Sequence, residues 1–341
     1  MPKHPFSPLQ GRVERFRIES ECLAGNLLGD PANRETFVYL PPEYDQTDLI
    51  YPLFVYLGPY TGSAPKKLAW RAFEENIPQR LERLLQRQEM GPVVMAFPDS
   101  FTSLGGNQFV NSPVLGNWED YLCREWIPEV ERRYRVPTAA PGRALLGFSS
   151  GGYGALVQAL SRADYWGAIA AHSPDIGFDL TFRSDLATLL TRLSHFDGSI
   201  EGFLRDFWDS RRISGSDWRC LMLLGLAASY DPAEAEPMGI RLPVDLETCE
   251  PIPERWENWL AKDPLSLLEQ PSSQANLKKL RGLFLDCGTY DQYHLQYGLR
   301  RFARRLRELE IEHRHDEFPD SHSGVEYRLD ESLPYLYSRL T

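Results

Sequence analysis

Apolar and polar residues alternate over residues 12–18 and again over 36–40, the period of two expected of strands with one face on a core and the other toward water. Two antiparallel strands are predicted there. Farther along, the pattern changes. Residues 51–57 (YPLFVYL) form an unbroken apolar run that stops at Gly58, and 93–97, 144–148, 167–171 and 283–285 have the same character. Runs that are apolar on both faces suit parallel strands covered by helices on either side. Between them, residues 66–88, 118–134, 152–161 and 296–309 carry helical periodicity, and Pro128 is expected to kink the second of these. A last helix is predicted from Leu333, Leu336, Tyr337 and Leu340, with Asp330 as its N-cap and Pro334 in its first turn. Strands alternating with helices predict an α/β fold with a mostly parallel central sheet and helices on both faces.

Residues 176–262 break this rhythm. They hold no clear buried strand but several helical fragments rich in large rings, including Phe178, Phe182, Phe203, Phe207, Trp208, Trp218, Trp256 and Trp259. A link with Pro237, Pro243, Pro251 and Pro253 follows. The expectation is one domain over 1–341, with 176–262 inserted as a helical cap over the C-terminal edge of the sheet. Its rings, Phe207 and Trp208 among them, are expected to wall a pocket.

Length and composition narrow the function classes. A chain of 341 residues with 42% hydrophobic and 25% charged residues can bury one large core. Against 37 Lys and Arg stand 48 Asp and Glu, a net charge of −11 that repels phosphate backbones and anionic membrane surfaces. Nucleic acid is therefore not an expected partner. No run approaches eighteen apolar residues, so no membrane span is expected, and MPKHPFSPLQGRVERF lacks the apolar core of a secretory signal. Cys22, Cys123, Cys220, Cys249 and Cys287 are scattered without a CxxC pair, which reads as free thiols in a reducing compartment. A cytoplasmic location is the expectation; whether the chain forms a homo-oligomer is left open.

The candidate chemistry centres on RALLGFSSGGYGAL, residues 143–156, where an apolar strand runs into Gly147-Phe148-Ser149-Ser150-Gly151 and then a helix. Three fixed positions match by chance about once in ten chains of this length. The preceding buried strand and the following Gly152 and Gly154 make this one specific. The glycines permit the sharp strand-to-helix turn that presents a nucleophilic serine, and only Ser149 fits the spacing. A serine hydroxyl needs a base, and the base needs an acid to orient it. In this type of fold the chain order is Ser, Asp or Glu, His. Asp291 follows the strand at 283–285, with Asp286 as rival acid, and His322 lies in FPDSHSG after a strand pattern at 311–318. His172 precedes both acids and breaks the order; His294 reads as a pocket or structural histidine.

The chain resembles the putative-esterase family of α/β-hydrolases, which contains esterase D (S-formylglutathione hydrolase), enterochelin and feruloyl esterases, and cell-wall mycolyltransferases. The resemblance is carried by FPDSFTSLGGNQFVNSPVLGNWEDYL (97–122), LLGFSSGGYGAL (145–156), FLDCGTYDQYHL (284–295) and EFPDSHSGVEYR (317–328). It implies the α/β-hydrolase fold, a small-molecule ester substrate, no cofactor, and Ser149, Asp291 and His322 as nucleophile, acid and base. Such enzymes often carry His-Gly where this chain reads Leu57-Gly58-Pro59-Tyr60, and Pro59 has no N–H to donate. The oxyanion donors expected are the N–H of Ser150 and that of Tyr60 or Gly58, with Ser150 contributing mainly its backbone. Three other readings compete with hydrolysis. One is acyl transfer by the same triad; another is a binding protein that keeps the fold without turnover. The third is a metal site built from His313, His315, Asp316, Asp320 and His322.

Overall fold

The structure, a computed structural model, describes residues 8–341; residues 1–7, part of the stretch judged above for a secretory signal, lie outside it. Eight strands make the central sheet: β1 (Arg12–Glu19), β2 (Asn33–Leu40), β3 (Leu53–Leu57), β4 (Val94–Pro98), β5 (Arg143–Phe148), β6 (Ala168–His172), β7 (Gly282–Gly288) and β8 (Arg314–Phe318). Their spatial order is β1-β2-β4-β3-β5-β6-β7-β8. β2 pairs antiparallel with β1 and β4, and every pairing from β4 to β8 is parallel. β3, β5, β6 and β7 are buried at every position, as their unbroken apolar sequences require. Val55, Leu145, Ile169 and Leu283 face one apolar cluster, and Phe54, Leu146, Ala170 and Phe284 face the other. Burying one large apolar side chain is worth about 1.5–3 kcal/mol. A one-residue slip would exchange the two sets, so the pattern also holds the register.

The helices depart from expectation in three places, each for a local reason. The single helix expected over 66–88 is two, α1 (Ala64–Leu68) and α2 (Ile77–Gln86). Asn76 starts the second: its side chain accepts the Gln79 N–H at 3.0 Å, and the Gln79 side chain accepts the Asn76 N–H at 3.0 Å. At Pro128 the helix continues, with a wider turn just before it. Trp118–Asp120 widens into a π turn over Tyr121–Trp126 and continues as α3 (Ile127–Arg133), with the Ile127 N–H reaching back to the Leu122 carbonyl. The wider turn accommodates the donor that proline lacks.

Beyond β5 come α4 (Ser150–Ser161) and, after β6, a largely helical stretch with α5 (Arg183–Leu193), α6 (Ile200–Asp209), α7 (Gly215–Tyr230) and α8 (Pro253–Leu260). Its rings pack mainly on one another: Phe178 on Tyr230 with centroids 5.0 Å apart, Tyr230 on Trp259 at 5.5 Å, and Phe203 on Phe207 at 6.0 Å. α9 (Leu295–Glu308) and α10 (Leu329–Leu340) complete the fold. Asp330 is not the N-cap of α10. That helix starts one residue earlier, out of a 3-10 turn, and the Asp330 carboxylate is taken by Arg80 and Arg83 of α2, the latter at 2.7 Å. Pro334 consequently lies inside α10, beyond its first turn. All five cysteines are unpaired. Among the described residues no helix is long and apolar enough to cross a membrane.

Candidate active site

Ser149 sits between β5 and α4 at φ 55°, ψ −123°, a strained conformation for a residue with a side chain. Two hydrogen bonds hold it there. Its N–H donates to the His172 carbonyl at 2.9 Å, and its own carbonyl accepts the Tyr153 N–H at 2.7 Å. Glycine is required on both sides for lack of room. A Cβ on Gly147 would collide with the Gly151 backbone, and one on Gly151 with the carbonyls of Leu57 and Gly58. Ser150 opens α4, so its N–H has no carbonyl in the preceding turn to bond and stays available.

Asp291 and His322 come from different loops that the backbone joins. The Thr289 N–H donates to the Phe318 carbonyl at 2.8 Å, and the Tyr290 N–H to the Asp320 carbonyl at 3.0 Å. Gly288 permits the approach, since a Cβ there would strike the backbone of Asp320 and Ser321. With the loops held together, His322 Nδ1 lies 2.8 Å from Asp291 Oδ2. A carboxylate only accepts, so Nδ1 carries the proton and Nε2 is left as an acceptor. Asp291 is fixed in turn by the Tyr293 N–H at 2.8 Å, and the Tyr293 ring packs edge-on against the imidazole with centroids 4.8 Å apart. The Gln292 side chain accepts the His322 N–H at 3.0 Å.

His322 and Ser149 open onto one cavity of about 390 Å³. Pro59 and Tyr60 line it, whereas Gly58 does not. The Tyr60 hydroxyl reaches the Trp218 carbonyl at 3.3 Å, and among the described residues its backbone N–H has no hydrogen-bond partner. Phe148, Phe182, Met222 and Tyr293 supply apolar wall; Lys66, Lys67, Arg71 and Glu326 lie on another side. Phe207 and Trp208 are not part of the wall. Phe207 is buried among Phe203 and Trp218, and the half-exposed Trp208 indole donates to the Ser103 carbonyl at 3.0 Å. From the helical stretch the cavity receives Thr181, Phe182, Asp185 and Met222 instead.

The rival residues find other employment. Asp286 lies within β7, fully buried, with Oδ1 2.6 Å from His172 Nδ1 and Oδ2 accepting from Arg328 Nε at 2.8 Å. His172 Nε2 accepts from the Ser332 hydroxyl at 2.9 Å. The result is a second Ser-His-Asp chain in which all three side chains are enclosed by protein, so no substrate carbonyl can reach the serine. It braces the elbow, because the His172 ring stacks on Phe148 at 4.3 Å and the His172 carbonyl holds Ser149. His294 is exposed ahead of α9, not a pocket residue. His313 Nδ1 is 2.8 Å from the Ile311 carbonyl, and no group of three or more His, Cys, Asp or Glu among the described residues is placed to hold a metal ion.

One cavity residue was not anticipated. Asp175, in the loop after β6, is buried and accepts from the Ser150 hydroxyl at 3.1 Å. That hydroxyl also accepts from Gln108 Nε2 at 3.1 Å, so Ser150 contributes more than its backbone. Burial pushes the Asp175 carboxyl up to about 6, with His322 and the serine hydroxyls opposing the shift and Asp291 adding to it. HSPDIGF matches no motif. The only signal for Asp175 in the sequence is its place just past a strand's C-terminal end.

An esterase of Mycobacterium tuberculosis is 26% identical over 136 residues, a match that covers 37% of this chain and 28% of that protein's length. A ferulic acid esterase structure superposes with a TM-score of 0.64 at 18% identity, over 97% of this chain and 100% of its own. An S-formylglutathione hydrolase from Agrobacterium tumefaciens superposes with a TM-score of 0.61 at 16% identity, over 98% of each chain. Such identities speak for the fold alone, the α/β-hydrolase fold. The model of the family described as Putative esterase matches residues 31–329, a span that runs from the approach to β2 to the start of α10. It takes in the elbow, the acid loop and the histidine loop, and the chain thus belongs to the Putative esterase family of α/β-hydrolases.

Proposed function

We propose that the protein is a serine esterase that hydrolyses a carboxylic ester through an acyl-enzyme on Ser149, with His322 as general base and Asp291 as the acid that orients it. The observation that carries this reading is the 2.8 Å contact between His322 Nδ1 and Asp291, with the imidazole opening onto the same cavity as Ser149. Ser149 Oγ attacks the ester carbonyl carbon as its proton passes to His322 Nε2. The carbonyl oxygen, now negative, accepts from the Ser150 N–H and from a second donor. Tyr60 is favoured for that donor, because it lines the cavity with an unpaired N–H while Gly58 stands back from it. Collapse of the intermediate expels the alcohol, which takes its proton from the imidazolium. Water then repeats the sequence on the acyl-enzyme, its proton passing to His322 and on to Ser149 Oγ as the carboxylic acid leaves.

The helices between β6 and β7 act as a cap that shapes the acyl site through Phe182 and Met222. The test is a fluorophosphonate probe together with a panel of activated esters graded by chain length. The wild type should turn over at least one ester, and the label should map to Ser149. Ser149→Ala should lose both while remaining folded. Labelling at another residue, or full activity in Ser149→Ala, overturns the reading.

A further inference from the structure

The cavity that holds Ser149 and His322 has one wall that departs from the rest of the molecule. The chain carries a net charge of −11, yet Lys66 and Lys67 of α1 and Arg71 just beyond it converge on this space. The acids around them do not cancel this charge. Glu326 is held by Lys67 at 2.7 Å and shared with Arg71 at 3.6 Å; burial opposes its charge, but Lys67, its own backbone N–H and Arg71 together hold its carboxyl below the ordinary range. Asp185, also in the lining, is bound by Arg219 at 2.6 Å. Asp175, raised by burial to about 6 and so charged above that pH, has the Ser150 hydroxyl as its partner at 3.1 Å. Arg71 has one further acid, the half-exposed Glu74 at 3.0 Å, which is not part of the cavity lining. Lys66 is exposed and has no ion pair among the described residues. Lys66 thus brings an unpaired cationic side chain to a cavity that it shares with Ser149 and with the apolar Phe148, Phe182 and Met222.

We infer that the ester this site takes joins an apolar group to an anionic one, a carboxylate, phosphate or sulfate, which lies against Lys66 and Arg71. The inference rests on the esterase reading above and adds the substrate's charge to it. A point charge near a half-exposed ammonium, in surroundings of intermediate dielectric, gains enough to change a rate constant by about tenfold or more. Arg71 suits an oxyanion because its planar fork can give two parallel N–H donors, and Lys66 adds a mobile charge. The anion can belong to either half of the ester. The apolar wall takes the other half.

Two matched pairs of esters separate these cases. 4-Nitrophenyl hydrogen adipate against 4-nitrophenyl adipamate places the charge in the acyl half; 3-carboxyphenyl butyrate against 3-carbamoylphenyl butyrate places it in the leaving group. In one pair the charged member should show the higher kcat/KM by about tenfold or more. That ratio should shrink with added salt, collapse in Lys66→Ala and Arg71→Gln, and invert in Lys66→Glu. A ratio near one in both pairs, or one that survives these substitutions, overturns the inference and leaves the esterase reading standing. Titration of the Ser149→Ala protein with the adipate pair by calorimetry reads the same preference without turnover. Absence of turnover and of phosphonate labelling in the wild type sinks the esterase reading, whereas equal binding of the two adipate compounds sinks this one.

Discussion

Asp286 and Asp291 show how burial and partners separate two acids of the same type. Asp286 is locked inside β7 between His172 and Arg328, while Asp291 lies past the strand end against His322. Asp291→Asn should therefore lower kcat by about 10⁴-fold with little loss of stability, because an amide cannot hold the imidazole in the productive tautomer. Asp286→Asn should do the reverse, costing about 3–5 kcal/mol in chemical denaturation, because it removes a buried carboxylate from between His172 and Arg328 and leaves Arg328 only Asp316 as an ionic partner. Larger loss of kcat from the Asp286 change would reverse the assignment. Asp175 makes a prediction about pH. Its folded-state pKa of about 6 is above the ordinary carboxyl value, so the native chain binds the proton more tightly than the unfolded one. Stability is then lost as pH rises from the ordinary value toward the raised one, and the loss is complete above it. Asp175→Asn, which cannot ionise, should gain on the wild type by roughly 1–3 kcal/mol between about pH 4 and about pH 7. Urea titrations at both pH values measure this, and a difference independent of pH would contradict it.

At the scale of elements, most strands were legible because they alternate or are mainly apolar, and both patterns follow from how many faces are covered; β8, RHDEF, has neither pattern. Helix ends were less so. Asn76 with Gln79 restarts a helix inside what reads as one periodic segment, and Asp330 has the residue type of a cap but spends its carboxylate on α2. The aromatic residues after β6 illustrate the limit further. Their sequence implies burial without saying against what, and most of them bury against each other. The pocket wall falls to Phe182 and Met222, which no pattern distinguishes from their neighbours. Truncating either to alanine should shift preference along a series of acyl chain lengths severalfold, while Phe207→Ala should mainly lower stability, by about 3–5 kcal/mol. Trp208→Ala should leave chain-length preference unchanged. A shift from Trp208→Ala equal to that from Phe182→Ala would mean that the wall is misassigned.

For the molecule as a whole, the helices between β6 and β7 share one apolar cluster with the sheet: Phe178, Leu186, Phe203 and Trp259 join Leu145, Ile169 and Leu283. Helices docked so extensively are expected to unfold together with the sheet. Tryptophan fluorescence, which reports Trp208, Trp218, Trp256 and Trp259 of this stretch together with four tryptophans outside it, and far-ultraviolet circular dichroism should give coincident transitions in guanidinium. A fluorescence transition in two steps would show the helical stretch to be a separate unit. The same continuity explains the second, enclosed Ser-His-Asp chain. Its members come from β6, β7 and α10, elements far apart in sequence that meet only when the sheet closes.

By itself the sequence determined the α/β class, the parallel centre of the sheet and the elbow at Ser149, because each depends on short-range order: the period of apolar residues, or glycines at fixed offsets around a serine. It also narrowed the candidates for base and acid to His322 and Asp291, with Asp286 as rival acid, through chain order and position after strands. Only the tertiary structure decided which acid meets which histidine, since Asp286–His172 and Asp291–His322 are contacts across strands with no local signature. It also decided that Ser150 is bonded through its side chain to Asp175 and Gln108, that Tyr60 and not Gly58 faces the cavity, and that Lys66 and Arg71 stand on its rim. Each of these depends on where a loop comes to rest after the core has packed, and the residues that set that position are distant in the chain.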